Sequence, residues 1–132
     1  MDSILQSVKK DLGISPEYVH FDEELIMNIN SILSVLRQIG VGPVDGFKIS
    51  DGSAVWSDLI DVEDDRLEYV KTYVSKRVKV LFDPPLNSSV LEATKANTTE
   101  MEWRINVDVD HYVSDAERAA LNDNSESESD DG

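Results

Sequence analysis

Four closely spaced acidic residues are the first candidates for chemistry, because hard cations are bound in proteins by several carboxylate oxygens. They are Asp61, Glu63, Asp64 and Asp65. Their spacing does not fit a calcium loop of the EF-hand type, which would need glycine at position 66 and glutamate at position 72. The chain has Arg66 and Thr72 there. We interpret the four acids as the start of a helix, where negative charge interacts favourably with the helix dipole, and predict no metal site.

The other groups that can catalyse reactions stand alone. The chain has two histidines, His20 and His111, and no cysteine, so it lacks thiolate chemistry and most ligands of a zinc site. Neither histidine has a nucleophile or second base at catalytic spacing, and there is no glycine-rich phosphate loop. The basic residues Lys76, Arg77 and Lys79 fit the C-terminal end of a helix better than a phosphate site. We therefore predict no catalytic function and no cofactor.

The composition is that of one small, acidic domain. A chain of 132 residues with 40% hydrophobic residues supports a single modest core. The net charge is -15, and residues 108–132 hold nine acids against one arginine. Such a surface repels nucleic acid, so the charge either keeps the protein soluble or faces DNA that must slide past without binding. Without a long apolar run, a basic N-terminal region or cysteines, we expect no membrane span, no signal peptide and a cytosolic setting.

Four segments have the apolar spacing of amphipathic helices. They cover residues 2–12, 22–39, 64–82 and 90–104. Gly13 and Gly40 are the expected stops of the first two, and Asp22 is the expected cap of the second. The capping-box pair Ser89 and Glu92 is expected to start the fourth. The expected core side chains are Leu33, Leu36, Val70, Val74 and Leu81.

The third segment organises the rest of the chain. Its apolar residues form one stripe, Leu67, Val70, Val74, Val78 and Leu81, and a second strip, Tyr69, Tyr73 and Val80. One small neighbouring helix would not cover both, so we expect several partners for this helix, from the same subunit or from another copy. The sequence Phe82-Asp83-Pro84-Pro85 then ends the helix, because proline has no N–H group and restricts the residue before it. The chain must reverse direction there.

A β-hairpin is predicted over residues 47–56, between the second and third helices. Two β-prone runs, Phe47-Lys48-Ile49 and Ala54-Val55-Trp56, are separated by Ser50-Asp51-Gly52-Ser53, and Asp-Gly is typical of a tight hairpin turn. We expect the hairpin to reach out of the helical bundle and contact a neighbouring subunit or another component. Trp56 would anchor it either to the core or at an interface.

The C-terminal residues are predicted to form an arm. Ile105, Val107, Val109 and Val113 alternate with polar residues in the way of a strand, and Ser114 to Glu117 has the form of a second capping box. Residues 122–132 have the composition of a disordered tail. We therefore predict a mainly α protein: a bundle of about four helices with its hairpin over residues 1–107, and an extended acidic arm over 108–132. The alternative for the arm is a solubilising tail without contacts.

Three motifs, taken in order, resemble a known family. They are residues 67–74, the turn Phe82-Asp83-Pro84-Pro85, and residues 100–106 with their Glu102-Trp103-Arg104. Together they are similar to the head-tail connector proteins of tailed bacteriophages, also described as head completion, adaptor or DNA-packaging proteins. The resemblance is dense over about residues 22–107, and the acidic tail is not part of it.

The resemblance implies a structural protein of the virion neck. Such proteins assemble as a ring, usually of twelve copies, below the portal protein. The ring extends the DNA channel and attaches the next neck or tail component. DNA would pass through the lumen without specific binding, and free subunits would be in the host cytoplasm during assembly. The alternative, drawn from charge alone, is an acidic regulatory or DNA-mimic protein that binds a basic partner.

On this hypothesis three sets of residues have expected roles. The portal-interface candidates are Val107, Val109, Val113, Ala119 and Leu121. The candidates for contact with a neighbouring subunit or neck component are Phe47, Ile49, Asp51, Trp56, Tyr69 and Tyr73. The structural motif comprises Phe82, Asp83, Pro84, Pro85, Trp103 and Arg104. Within it, we expect Trp103 to pack at the end of its helix and Arg104 to pair with a carboxylate, within or between subunits.

Overall fold

The structure, a computed structural model, describes residues 3–60 and 65–108, and this part of the chain contains five helices. They are α1 (Ile4–Asp11), α2 (Asp22–Gln38), the single turn α3 (Trp56–Leu59), α4 (Asp65–Phe82) and α5 (88–108). The prediction of a mainly α protein is confirmed. Most of the acidic arm lies outside the described residues.

The core lies between α2 and α4, which pack along most of their length, and α1 contacts both of them. Leu33 and Leu36 of α2 and Val70 and Val74 of α4 are buried, as predicted. Leu81 is 50% exposed, so its prediction as a core residue is wrong. At that end of α4, Phe82 packs against the core in place of Leu81. Its ring lies edge-on to the ring of Phe21, with 5.0 Å between ring centroids.

The helix ends differ from the predictions in their caps. Asp22 is the first residue of α2 and does not cap it. Its carboxylate pairs instead with the fully buried Lys9, at 2.9 Å. Lys9 also donates hydrogen bonds to the backbone carbonyls of Pro16 and Tyr18, at 3.1 and 2.8 Å. This one side chain therefore fixes the segment between α1 and α2 to α1.

The cap of α5 is Asn87 rather than the predicted Ser89. The Asn87 Oδ1 atom accepts hydrogen bonds from the backbone N–H groups of Ser89 and Val90, at 2.8 and 3.3 Å. The turn through Pro84 and Pro85 separates α4 from this cap, as the two prolines predict. The returning helix therefore begins at residue 88, slightly earlier than expected.

The hairpin predicted over residues 47–56 is wrong, because the two runs do not pair with each other. Asn30 of α2 binds both backbone polar groups of Ile49: its Oδ1 accepts from the Ile49 N–H at 2.8 Å, and its Nδ2 donates to the Ile49 carbonyl at 3.0 Å. The second run pairs with the start of the chain, through a bridge between Val55 and Ser3. Trp56 then begins α3 and is buried, so it anchors this segment to the core.

The strand predicted from Ile105 onward is wrong for the described residues, because α5 continues to residue 108. Thr98, Met101 and Ile105 are buried on one face of this helix, at helical spacing. The Asn106 amide also donates to the Ile39 carbonyl at 3.4 Å, which holds this turn against the end of α2. A short run of alternating apolar residues therefore belongs to a helix here.

Candidate interaction surfaces

Helix α5 is held against α4 by a polar contact at its middle. The Tyr73 hydroxyl donates a hydrogen bond to the Glu102 carboxylate at 2.5 Å, and Arg77 donates to the same hydroxyl at 2.9 Å. Arg77 also forms an ion pair with Glu102. Burial, followed by the hydrogen bond to Glu102, raises the pKa of Tyr73 well above its ordinary value. This cluster fixes one face of α5 and leaves the opposite face exposed.

The exposed face carries two apolar side chains near the C-terminal end of the helix. Trp103 is 66% exposed and Val107 is 48% exposed, and they lie one helical turn apart. Together with Tyr69 of α4 they line an open groove of about 350 Å³. We refer to Tyr69, Trp103 and Val107 as the Trp103 patch. Large apolar side chains that share an exposed groove are typical of protein interfaces.

A second group of exposed apolar side chains lies around the turn between α4 and α5. It consists of Leu81, Leu86 and Val90, and Leu86 is fully exposed. We refer to these three residues as the turn patch. Val90 also lines a second groove of about 490 Å³ between α4 and the first half of α5, together with Lys76 and Lys79. Helix α5 thus has exposed apolar residues near both of its ends.

Comparison with models of protein families finds a match for this chain. Residues 4–112, most of the chain, match the family model described as phage connector protein. The chain belongs to this family. Searches of curated proteins and of solved structures give no match. The family is one of structural virion proteins, so this connector protein has a role at the head-tail connection of a phage, in the virion neck.

The structure places the predicted interface residues of the connector protein in different environments. Ile49, Trp56 and Tyr73 are buried within the subunit, so their side chains are not available on its surface. Phe47 is partly buried against the core, whereas Tyr69 lies in the Trp103 patch. Of the expected portal-interface residues, Val107 is exposed, and Val109, Val113, Ala119 and Leu121 lie outside the described residues.

Asp51 is exposed, and its contacts are local. Its carboxylate accepts hydrogen bonds from the backbone N–H and the hydroxyl of Ser53, at 2.8 and 2.5 Å. These bonds lower the pKa of Asp51. The residue therefore stabilises its own turn and carries a negative charge at the surface.

Trp103 and Arg104, the last two residues of the family motif, have different environments in the subunit. Arg104 pairs with Glu100 one turn earlier, at 2.8 Å, and this contact raises the pKa of Arg104. The expectation of a carboxylate partner is therefore met within α5. Trp103 is not packed within the subunit. Its surface, which is 66% exposed, is available for contact with another chain.

The groups first considered for chemistry form no site in the part of the connector protein that the structure describes. His20 is exposed and contacts the ring of Phe21 at 4.9 Å between centroids. Asp65 opens α4, as expected, while Asp61, Glu63 and Asp64 lie outside the described residues. Residues 3–60 and 65–108 contain no cluster of three metal-binding side chains. Over the same ranges, no helix is long and apolar enough to cross a membrane.

Sequence reasoning missed the turn patch of the connector protein. The apolar spacing of α4 predicts Leu81 in the core and indicates no role for Leu86 and Val90. The available signal was Leu86 itself, an isolated large apolar residue directly after two prolines in a reversing turn. A turn of two prolines and polar residues offers such a side chain no core to enter.

Proposed function

We propose that this connector protein assembles into a ring of identical subunits below the portal, usually twelve in its family. The ring would extend the DNA channel and present a platform for the next neck or tail component. The observation that carries the proposal is the presence of two different exposed apolar patches near the two ends of α5. Free subunits would be in the host cytoplasm before assembly.

The two patches fit a ring because they are different surfaces at separate places. Val90 and Trp103 are separated by about 20 Å along α5, at 1.5 Å per residue. A contact between the Trp103 patch of one copy and the turn patch of the next is heterologous, so every copy keeps one free patch of each kind. Repetition of such a contact closes into a ring when the rotation between copies allows it.

The net charge of the chain supports passage of DNA through such a ring. Phosphates are bound by lysine and arginine, and a channel lined by these residues would hold DNA by releasing its counterions. A subunit with net charge -15 instead repels the phosphates of DNA. DNA would therefore move through the lumen without specific binding.

The C-terminal arm is the proposed portal contact. Val107, Val109 and Val113, followed by Ala119 and Leu121, supply apolar side chains that an extended chain can place on a partner surface. Truncation after Asp108 keeps the described helices and removes the arm. We expect this variant to retain its helical content and to lose most of its affinity for the portal. Unchanged portal affinity would contradict the role of the arm.

Two charge-insertion variants test the ring contact itself. Trp103→Glu removes one patch and Leu86→Glu removes the other. Both changes are at exposed positions, so folding should be retained. Neither variant by itself should form rings on the portal, because each lacks one of the two patches that every contact between copies requires. An equal mixture should form heterodimers, because one intact patch of each kind remains.

A matched control is Met27→Glu, which changes an apolar residue on α2 whose exposure, 71%, is similar to the 66% of Trp103. Native mass spectrometry of the three variants, with and without portal, measures the result. Rings formed by Met27→Glu but not by the other two support the proposal. Homodimers of Leu86→Glu alone would show that the Trp103 patch pairs with itself, and would overturn the heterologous contact. Tight capture of a basic DNA-binding protein without portal binding would favour the DNA-mimic alternative.

A further inference from the structure

The groove between α4 and the first half of α5 combines an apolar floor with positive charge. Val80, Pro85 and Ala93 contribute apolar surface, and Lys76 and Lys79 lie along its α4 side. The Lys76 ammonium group donates a hydrogen bond across the groove to Asn97, at 2.8 Å. We refer to this surface as the lysine groove.

The two lysines present positive charge on a subunit whose net charge is -15. Neither Lys76 nor Lys79 forms an ion pair with a described carboxylate. Several other lysines of the described residues also lack an ion pair, and Lys76 and Lys79 differ from them in lining one apolar groove together. Two neighbouring ammonium groups in a groove therefore form a local binding surface for carboxylates.

We propose that the lysine groove binds the acidic tail, residues 122–131, of the neighbouring copy in the ring. This inference rests on the proposed ring and adds a second contact to it. The tail contains five carboxylates and no basic residue: Asp123, Glu126, Glu128, Asp130 and Asp131. Its charge is thus complementary to that of the groove.

The position of residue 108 on α5 favours the neighbour's groove over the subunit's own. Residue 108 lies at the Trp103 end of α5, and Ala93 of the same subunit's groove is about 22 Å back along the helix. In the proposed ring contact, the Trp103 patch of one copy lies against the turn patch of the next. Residue 108 is then brought beside the next copy's groove, because Val90 belongs to both the turn patch and the lysine groove.

The length of chain after residue 108 is sufficient to reach that groove. Fourteen residues separate Asp108 from Asp123, and an extended chain of that length spans up to about 46 Å. The first contact between two copies holds the tail near its partner surface, so its local concentration is high. A weak electrostatic contact therefore contributes to assembly.

The contribution to assembly is modest and sensitive to salt. Exposed ion pairs are individually weak, and charges separated by water are screened beyond about 10 Å at 0.1 M salt. Several carboxylates face two lysines in this contact. Loss of the contact should therefore raise the subunit concentration needed for half assembly at low salt by about three- to tenfold.

Disulfide crosslinking tests the contact directly, because the chain has no cysteine of its own. One preparation carries Ala93→Cys, at an exposed position that lines the lysine groove, and a second carries Ser129→Cys in the tail, so that both lysines and all five carboxylates are kept. The two are mixed, assembled on the portal and oxidised. The control replaces the first preparation with Lys10→Cys, an exposed lysine on α1. We expect covalent dimers to form roughly tenfold faster with Ala93→Cys than with the control, because a docked tail has a far higher effective concentration than a free one.

Three outcomes of this experiment are distinguishable. Rings with equal crosslinking in test and control overturn this inference and leave the proposed ring intact. A chain carrying both Ala93→Cys and Ser129→Cys that closes on itself as a monomer places the tail in its own groove, which also overturns the inference. Absence of rings in all samples, including the unmodified chain, overturns the proposed function.

Charge reversal supplies an independent readout. Lys76→Glu/Lys79→Glu and truncation after Asn122 should each raise the half-assembly concentration three- to tenfold, as an order-of-magnitude estimate, at about 50 mM salt. The combined variant should show no further increase, because both changes remove the same contact. The control Lys10→Glu/Lys48→Glu changes two other exposed lysines and should have little effect. Fully additive effects, or effects that persist at about 0.5 M salt, would overturn the inference.

Discussion

The Tyr73 hydroxyl donates a hydrogen bond to Glu102 across the interface between α4 and α5, with 2.5 Å between Oη and Oε1. Arg77 contacts both groups, so a buried hydroxyl, a carboxylate and a guanidinium form one cluster. The cluster fixes α5 near its middle. The apolar residues near the two ends of that helix remain on the surface, where another chain can reach them.

Removal of the carboxylate should loosen α5. In Glu102→Gln the ion pair with Arg77 is lost while the side chain keeps its size. We expect the free energy of unfolding to fall by about 1.5 to 3 kcal/mol, the usual range for a hydrogen bond to a charged group. Urea denaturation followed by circular dichroism measures this change. The control is Glu100→Gln, which breaks only an exposed pair with Arg104 and should cost clearly less. Equal losses in the two variants would contradict the role of the cluster.

Stability should decrease at alkaline pH because of Tyr73. Its pKa is raised above the ordinary value of 10.0, first by burial and then by the hydrogen bond to Glu102. The folded state therefore holds this proton more tightly than the unfolded state does. The resulting stabilisation is fully present below about pH 10 and is lost as the pH rises above that value.

The measurement for this prediction is the free energy of unfolding between about pH 9 and pH 11. Tyr73→Phe should show a shallower decrease than the wild-type protein above pH 10. Tyr18→Phe changes a half-exposed tyrosine and should keep the wild-type slope. A Tyr73→Phe slope as steep as that of the wild type would be evidence against the assignment.

The core assignment can be tested with two leucines of different burial. Leu33 is buried in the centre of α2, so Leu33→Ala should cost about 2 to 5 kcal/mol. Leu81 is half exposed, so Leu81→Ala should cost clearly less. Thermal and urea unfolding of both variants gives the comparison. A cost below about 1 kcal/mol for Leu33→Ala would show that this face of α2 is not the core.

The helices were predictable because their signals are local. Glycines after α1 and α2 and two prolines after α4 mark the ends of these helices, and apolar spacing identifies Leu33, Leu36, Val70 and Val74 as buried. Leu81 follows the same spacing, but its side chain remains half exposed on the last turn of α4. Periodicity therefore identifies a face of a helix without showing how far along the helix the core extends.

The segment over residues 47–56 was not predictable from local signals, because its partners are distant in sequence. The side chain of Asn30 takes the place of a second strand for Ile49, and Ser3 does so for Val55. Local patterns cannot show which polar groups from elsewhere in the chain will satisfy a backbone. The same applies to the Trp103 patch, which depends on the packing of α5 against α4.

Replacement of Asn30 should therefore destabilise the loop that was expected to form a hairpin. Asn30→Ala leaves both backbone groups of the buried Ile49 without these hydrogen bonds, at a cost of about 1 to 3 kcal/mol. Ser31→Ala changes the next residue, which is exposed, and should stay within about 0.5 kcal/mol of wild type. Hydrogen exchange at the Ile49 amide provides a local readout. Unchanged protection of that amide in Asn30→Ala would contradict this account.

The most direct test of the central claim is the mass of the complex between this connector protein and the portal of the same phage. Native mass spectrometry, or imaging of single particles, counts the subunits bound to each portal. We predict a closed ring with one defined number of copies, and loss of that ring when Trp103→Glu is used in place of the wild-type protein. Binding of single subunits without contact between them, or no binding to the portal at all, would contradict the proposal that this protein is a ring-forming adaptor.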